Sequence, residues 1–401
     1  MITFARAATT ALLACAVALP ATALPAQAAA PVAHAASAPA AFRTAATTPA
    51  PALELPAPTG RFAVGSSVLH LVDRSRPDPW VPAADGRELM VTLHYPAARG
   101  AQGPPAPYVD EPVARAALAG VGVTDPAAVR AVAGMDAHSR LDVRPAPGRH
   151  PLVVLSPGFG VPRFTLTSLA TELASRGYAV ASVDHAYEAS AIALPDGRML
   201  GCVACTALEE GRIKGSDVTA ARAADVRFLL DRLTGPHPAW AYARSIDRGR
   251  IGMAGHSIGG AAALATMLAD RRVDAGVNMD GAFWDALPAG GLGGRPFLML
   301  GTDDEMHRPG GVDRTWDATW PGLDGWKRWL TVTGADHFTF SDAPVIQAHF
   351  GLPAGPIPAG RALAVTRAYV TAFFDRQLRG IPQPLLAGPS PLNPEVHFQQ
   401  P

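Results

Sequence analysis

A series of short apolar runs, each bounded by turn residues, most constrains what this chain can fold into. The runs are Leu152–Leu155, Ala179–Val183, Ile251–Ala254, Gly276–Met279, Pro296–Leu300 and Trp329–Val332. Helical stripes lie between most of them: Leu166, Leu169 and Leu173 share one face, as do Val226, Leu229, Leu230 and Leu233, and later Val370, Phe373, Phe374 and Leu378. Strands that are apolar along their whole length need cover on both faces, and helices at this spacing supply it. The fold class is therefore α/β, a mostly parallel central sheet flanked by helices. The pattern spans one domain, placed at residues 55–385, with a C-terminal tail over 386–401.

Two alternating segments open that domain, Val68–Val72 and Leu89–Tyr95, separated by a stretch with Pro77, Pro79 and Pro82. They read as an antiparallel pair at a sheet edge. Two connections exceed a minimal crossover. Residues 96–150 carry short helices expected at Glu111–Ala119 and Pro126–Ala133, and residues 186–216 carry both later cysteines. Connections of this length tend to be functional covers, and with Tyr108, Val109, Leu118 and Met135 available, a cap over the site is expected.

The N-terminus reads as an address. Arg6 precedes an uncharged apolar run from Ala7 to Leu19, followed by small residues ending Ala26-Gln27-Ala28. That is the pattern of a secretory signal peptide over 1–28, cleaved near Ala28, and the run is too short to cross a bilayer. Residues 29–54 are mostly Ala, Pro and Thr and form a flexible lead. Export makes Gly201-Cys202-Val203-Ala204-Cys205 a candidate loop disulfide between Cys202 and Cys205, because no second CxxC supplies a zinc site. A redox CxxC would instead follow a strand and open a helix. Lys+Arg and Asp+Glu each number 34, with no basic cluster, which argues against nucleic-acid binding.

Chemistry concentrates in Gly255-His256-Ser257-Ile258-Gly259, between the Ile251–Ala254 strand and a small-residue helix. This is the setting of a G-x-S-x-G nucleophile elbow in an α/β-hydrolase fold, where a tight turn holds the serine strained and exposed. The first backbone amides of that helix lie beside it and can bind an oxyanion. A nucleophilic serine needs a base and an acid, in the order Ser, acid, His. His337 follows the Trp329–Val332 strand and is the expected base. His256 must point elsewhere, and His185 ends an earlier strand, where it can line the site. For the acid, Asp280 ends the strand after the nucleophile helix, and Asp303 and Asp304 end the next. Spacing alone leaves these alternatives open.

Residues Leu55 to Leu385 resemble the secreted, calcium-independent platelet-activating factor acetylhydrolases (group VII phospholipase A2) and their bacterial homologues. The resemblance is carried by Pro58-Thr59-Gly60, Asp78-Pro79-Trp80, Ser156-Pro157-Gly158-Phe159-Gly160, the Gly-His-Ser-Ile-Gly-Gly elbow, Met279-Asp280 and His337-Phe338-Thr339-Phe340-Ser341-Asp342. It implies Asp280 as the acid and the Phe159 and Ile258 N–H groups as the oxyanion hole, with Pro157 where the family more often has His. It further implies a serine esterase that cleaves short or oxidised acyl esters of phospholipids through an acyl-enzyme, without metal or organic cofactor. The expected partners are a small-molecule or lipid ester and, transiently, a lipid interface. The alternative is a lipase- or cutinase-like hydrolase of triglycerides or polyesters, although the two long insertions suit an open cleft poorly.

Overall fold

The computed structural model describes residues 53–401. The expected signal peptide and all but the end of the lead lie outside the described residues. Strands β1 (Val64–Asp73) and β2 (Arg87–Pro96) pair antiparallel, in unbroken register from Val64↔Pro96 to Asp73↔Arg87. The first insertion supplies β3 (Pro105–Pro107), α1 (Glu111–Ala119), α2 (Pro126–Ala133) and β4 (Asp136–Leu141). Then come β5 (His150–Ser156), α3 (Thr167–Ser175), β6 (Ala179–His185), the hairpin strands β7 (Ile192–Ala193) and β8 (Met199–Leu200), α4 (Val203–Glu209) and α5 (Gly215–Thr234). The remainder is β9 (Ile246–His256), α6 (Ile258–Ala269), β10 (Ala275–Met279), β11 (Phe297–Thr302), α7 (Arg314–Thr319), β12 (Lys327–Val332), α8 (Ala343–Phe350), α9 (Ala359–Arg379) and β13 (Val396–Phe398).

Eleven strands form one sheet in the order β13-β12-β11-β10-β9-β5-β6-β2-β1-β4-β3. The six from β12 to β6 are parallel, and β2 and β13 run against them on either side. Strands β5, β6, β10 and β11 are buried at every residue because both faces are covered. Along β5, Leu152 and Val154 pack with the α5 and α6 residues Leu229, Leu233 and Ala262. Val153 and Leu155 turn the other way, toward Leu169 of α3 and Phe373 of α9. Helix α6 is apolar on all sides and lies buried between the sheet and α5.

Two expectations need correction. First, β1 and β2 are not an edge pair, because β4 and β3 from the first insertion extend the sheet beyond β1. Second, the expected tail returns as β13, whose pairing with β12 runs Leu330↔Phe398 to Val332↔Val396. In the first insertion, α1 and α2 bury their apolar faces in a cluster with Phe164, Leu363 and Ile346.

Candidate active site

Strands β5, β9, β10 and β12 all point their carboxyl ends to one edge of the sheet, where ligands bind in open α/β folds. At the end of β9 the chain turns into α6 through Ser257, whose φ of 56° and ψ of −129° are unfavourable for a residue with a side chain. The flanking glycines make this turn possible. A Cβ on Gly255 would stand 2.1 Å from the Gly259 backbone, and one on Gly259 2.1 Å from the Ser156 carbonyl oxygen. The elbow is pinned to β10, since the Ser257 N–H donates to the Met279 carbonyl at 2.8 Å.

Asp280 follows β10 and also has a positive φ, 61°. Its Oδ2 lies 2.6 Å from His337 Nδ1, and its Oδ1 accepts the Thr302 N–H at 2.7 Å. An ionised carboxylate only accepts, so His337 Nδ1 carries the hydrogen and Nε2 is left as the acceptor. Burial alone would raise the Asp280 carboxyl, but hydrogen bonds from His307 and His337 hold it well below the usual carboxylate range. The His337 ring is about half exposed. No hydrogen bond joins Ser257 Oγ to His337 in this structure; such contacts often tighten only with substrate in place.

The other sequence candidates lie elsewhere. Asp303 is held by Arg308, Thr331 and Thr333, and Asp304 accepts the Met306 N–H. His256 turns away from the serine, stacks on His337 at 4.7 Å and donates from Nε2 to the His337 carbonyl at 2.6 Å. Burial, then the neighbouring His337, pushes the His256 imidazole down to about 3, so it is a neutral prop for the His337 loop.

Beyond β5, Ser156-Pro157-Gly158-Phe159 forms the turn facing the elbow: a Cβ on Gly158 would come within 3.5 Å of the Ser257 Cβ. Among the described residues, neither the Phe159 nor the Ile258 N–H finds an acceptor. A buried ionic cluster underlies this turn, and nothing in the sequence spacing announced it. Arg222 of α5 donates to Glu188 at 2.7 Å, to Ser156 Oγ at 3.1 Å and to the Pro157 carbonyl. Glu188 also takes Arg87, which bonds Asp78 and Asp225 as well. His185 does not line an open site. It is buried, donating from Nδ1 to Asp225 at 2.7 Å while Nε2 meets Ser156 Oγ at 3.1 Å.

Cys202 and Cys205 are joined as a disulfide, but not in a loop. Cys202 caps the N-terminus of α4, just after β8, so the pair follows a strand and opens a helix. Cys205 Sγ packs 3.6 Å from where a Cβ on Gly160 would stand, and Gly160 bridges to Ala189. The 186–216 insertion therefore lies against the turn over residues 156–160. Among the described residues, no group of three His, Cys, Asp or Glu side chains is arranged to hold a metal ion, and no helix is long and apolar enough to cross a membrane.

Residues 128–195, which include this turn, match the family model for platelet-activating factor acetylhydrolase, isoform II. A protein of Arthroderma benhamiae described as a probable 1-alkyl-2-acetylglycerophosphocholine esterase is 30% identical, covering 86% of this chain and 93% of its own length. The chain belongs to the platelet-activating factor acetylhydrolase family. The structure of a ferulic acid esterase from Streptomyces cinnamoneus superposes on this member of the family with a TM-score of 0.78. That esterase is 48% identical, over 87% of this chain and all of its own. The family, its α/β-hydrolase fold and the two esterase relatives identify the chain as a carboxylic ester hydrolase.

Proposed function

We propose that Ser257, His337 and Asp280 act as a nucleophile, base and acid that hydrolyse carboxylic esters through an acyl-enzyme. The observation that carries this reading is the convergence of a strained serine, an Asp-paired imidazole and two free amides at one sheet edge. His337 Nε2 takes the Ser257 proton as Oγ attacks the ester carbonyl, and Asp280 stabilises the imidazolium that forms. The Phe159 and Ile258 N–H groups receive the oxyanion, each worth roughly 10²–10³ in turnover. His337 then protonates the leaving alcohol, and water repeats the sequence to free the acid. The leader over 1–28 directs the enzyme out of the cell.

For the substrate, the Arthroderma relative supports a short acyl ester of a phospholipid. A second reading, a hydroxycinnamoyl ester, is favoured by the ferulic acid esterase relative and by an aromatic side chain beside His337. Phe338 is 42% exposed and meets His337 edge-on at 5.6 Å. Ser257→Ala is expected to abolish release of p-nitrophenol from its acetate, and EDTA to leave the wild-type rate unchanged. Asp280→Asn is expected to lose several orders of magnitude and Asp303→Asn very little; the reverse order would reassign the acid. Comparing kcat/KM on a 2-acetyl phospholipid and on methyl ferulate selects between the two substrates.

A further inference from the structure

Asp280 does not serve His337 alone. On the side of the carboxylate away from His337, His307 Nδ1 lies 3.0 Å from Asp280 Oδ1. The ring is buried, stacks on Trp316 at 4.5 Å, and turns Nε2 toward Asp313 Oδ2 at 3.6 Å. The groups facing it are Asp280 at the end of β10, Thr302 at the end of β11, Asp304 in its own loop, and Asp313 and Trp316 at the start of α7. Trp329 of β12 donates to its backbone carbonyl.

Hydrogen bookkeeping then bears on the ring's state. Thr302 Oγ1 lies 3.2 Å from His307 Nδ1, but a bare Nδ1 would also turn its lone pair on the Asp280 carboxylate at 3.0 Å, so the hydrogen is favoured on Nδ1. A neutral imidazole would then turn a lone pair toward Asp313 Oδ2, a buried oxygen with no hydrogen-bond partner in the protein. An imidazolium would place an N–H there and its charge between two carboxylates, over the face of an indole. The same neighbours act against burial to raise the His307 imidazole above its ordinary value.

We infer that His307 is a positioning residue for the acid, an imidazolium clamped between Asp280 and Asp313 that sets the acidic limb of the rate profile. The inference rests on the proposed Ser257–His337–Asp280 assignment. A cation behind Asp280 competes with the imidazolium that His337 must become. Removing it makes His337 hold its proton more tightly and moves the acidic limb of kcat/KM upward.

The test is the pH dependence of kcat/KM for p-nitrophenyl acetate in wild type, His307→Gln and Asp313→Asn. Glutamine keeps a donor toward Asp280 without the charge. Its acidic limb is expected to shift up by about half to one pH unit, the scale of one charge acting across a partly screened site. Asp313→Asn, which leaves the ring in place, is expected to shift it the same way by less. A purely structural role would lower kcat and leave the limb where it was. Nitrogen-15 NMR of the Ser257→Ala protein at pH 6 supplies a readout that needs no turnover: both His307 ring nitrogens should be protonated. An unmoved limb in both variants, or a single N–H on His307, overturns the inference. If Ser257→Ala is dead and the limb is unmoved, only the role of His307 falls; if Ser257→Ala still turns over, the triad falls and His307's role with it. Should His307→Gln fail to fold, Asp313→Asn and the NMR spectrum decide.

Discussion

Replacing Arg222 by methionine removes a guanidinium that is 1% exposed and strips a donor from Glu188, Ser156 Oγ and the Pro157 carbonyl at once. Breaking a buried ion pair from one side costs about 3–5 kcal/mol, because the abandoned charge stays desolvated. Glu188 keeps Arg87 and the Trp80 Nε1–H, so the low end, about 3 kcal/mol, is expected. With a urea slope of about 3 kcal/mol/M, the unfolding midpoint should fall by about 1 M. Catalysis should suffer separately, because the released Pro157 carbonyl lies two residues before Phe159. A misplaced oxyanion donor should lower kcat about tenfold with little change in KM, less than the roughly 10²–10³ for losing one outright. Adding Glu188→Gln removes one charge of each sign and should recover part of the stability but none of the turnover. Urea melts and p-nitrophenyl acetate kinetics on the two variants check this. A midpoint shift below about 0.3 M with wild-type kcat would refute the claim that the cluster supports the oxyanion turn.

Asp342 is buried against Tyr108 and the Ser168 N–H, and burial raises its carboxyl to about 7. A carboxyl raised in the folded state stabilises below its unfolded value near 3.8, and that stability is lost as pH rises through about 7. Asp342→Asn should flatten this decline, worth about 3 kcal/mol at most between pH 5 and 8, in melting temperatures taken over that range. Gly259→Ala should yield no folded active enzyme, since its Cβ meets the Ser156 carbonyl oxygen at 2.1 Å; wild-type circular dichroism and activity would contradict the close approach.

What could be read from the sequence was whatever is written locally. The parallel strands appeared as continuous apolar runs, and α1 and α2 came out at their true bounds because Asp110-Glu111-Pro112 and Asp125-Pro126 are start signals. The serine elbow was legible because its glycines are sterically required. The failures share a cause. Strand β3 is Pro-Ala-Pro and β13 only Val-His-Phe, too short to show alternation. The Cys pair reads as a loop because flanking glycines outweigh a helix of only about two turns. The cluster of Arg87, Glu188, Arg222 and Asp225 is drawn from three distant stretches and has no sequence period. His307 lies two residues past the Asp303-Asp304-Glu305 run, and a histidine beside those carboxylates was the available signal.

Ser257 and Asp280 stand at the ends of neighbouring parallel strands, both with left-handed backbones. Such conformations cost of order 1–3 kcal/mol each in a residue with a side chain, and glycine relieves them. Asp280 repays that cost through its buried partners, whereas random drift at the Ser257 codon toward glycine would give a sturdier but inert descendant. Only continued demand for ester cleavage keeps a lineage from sliding in that direction, so dead members of this fold should tend to melt later than their working cousins.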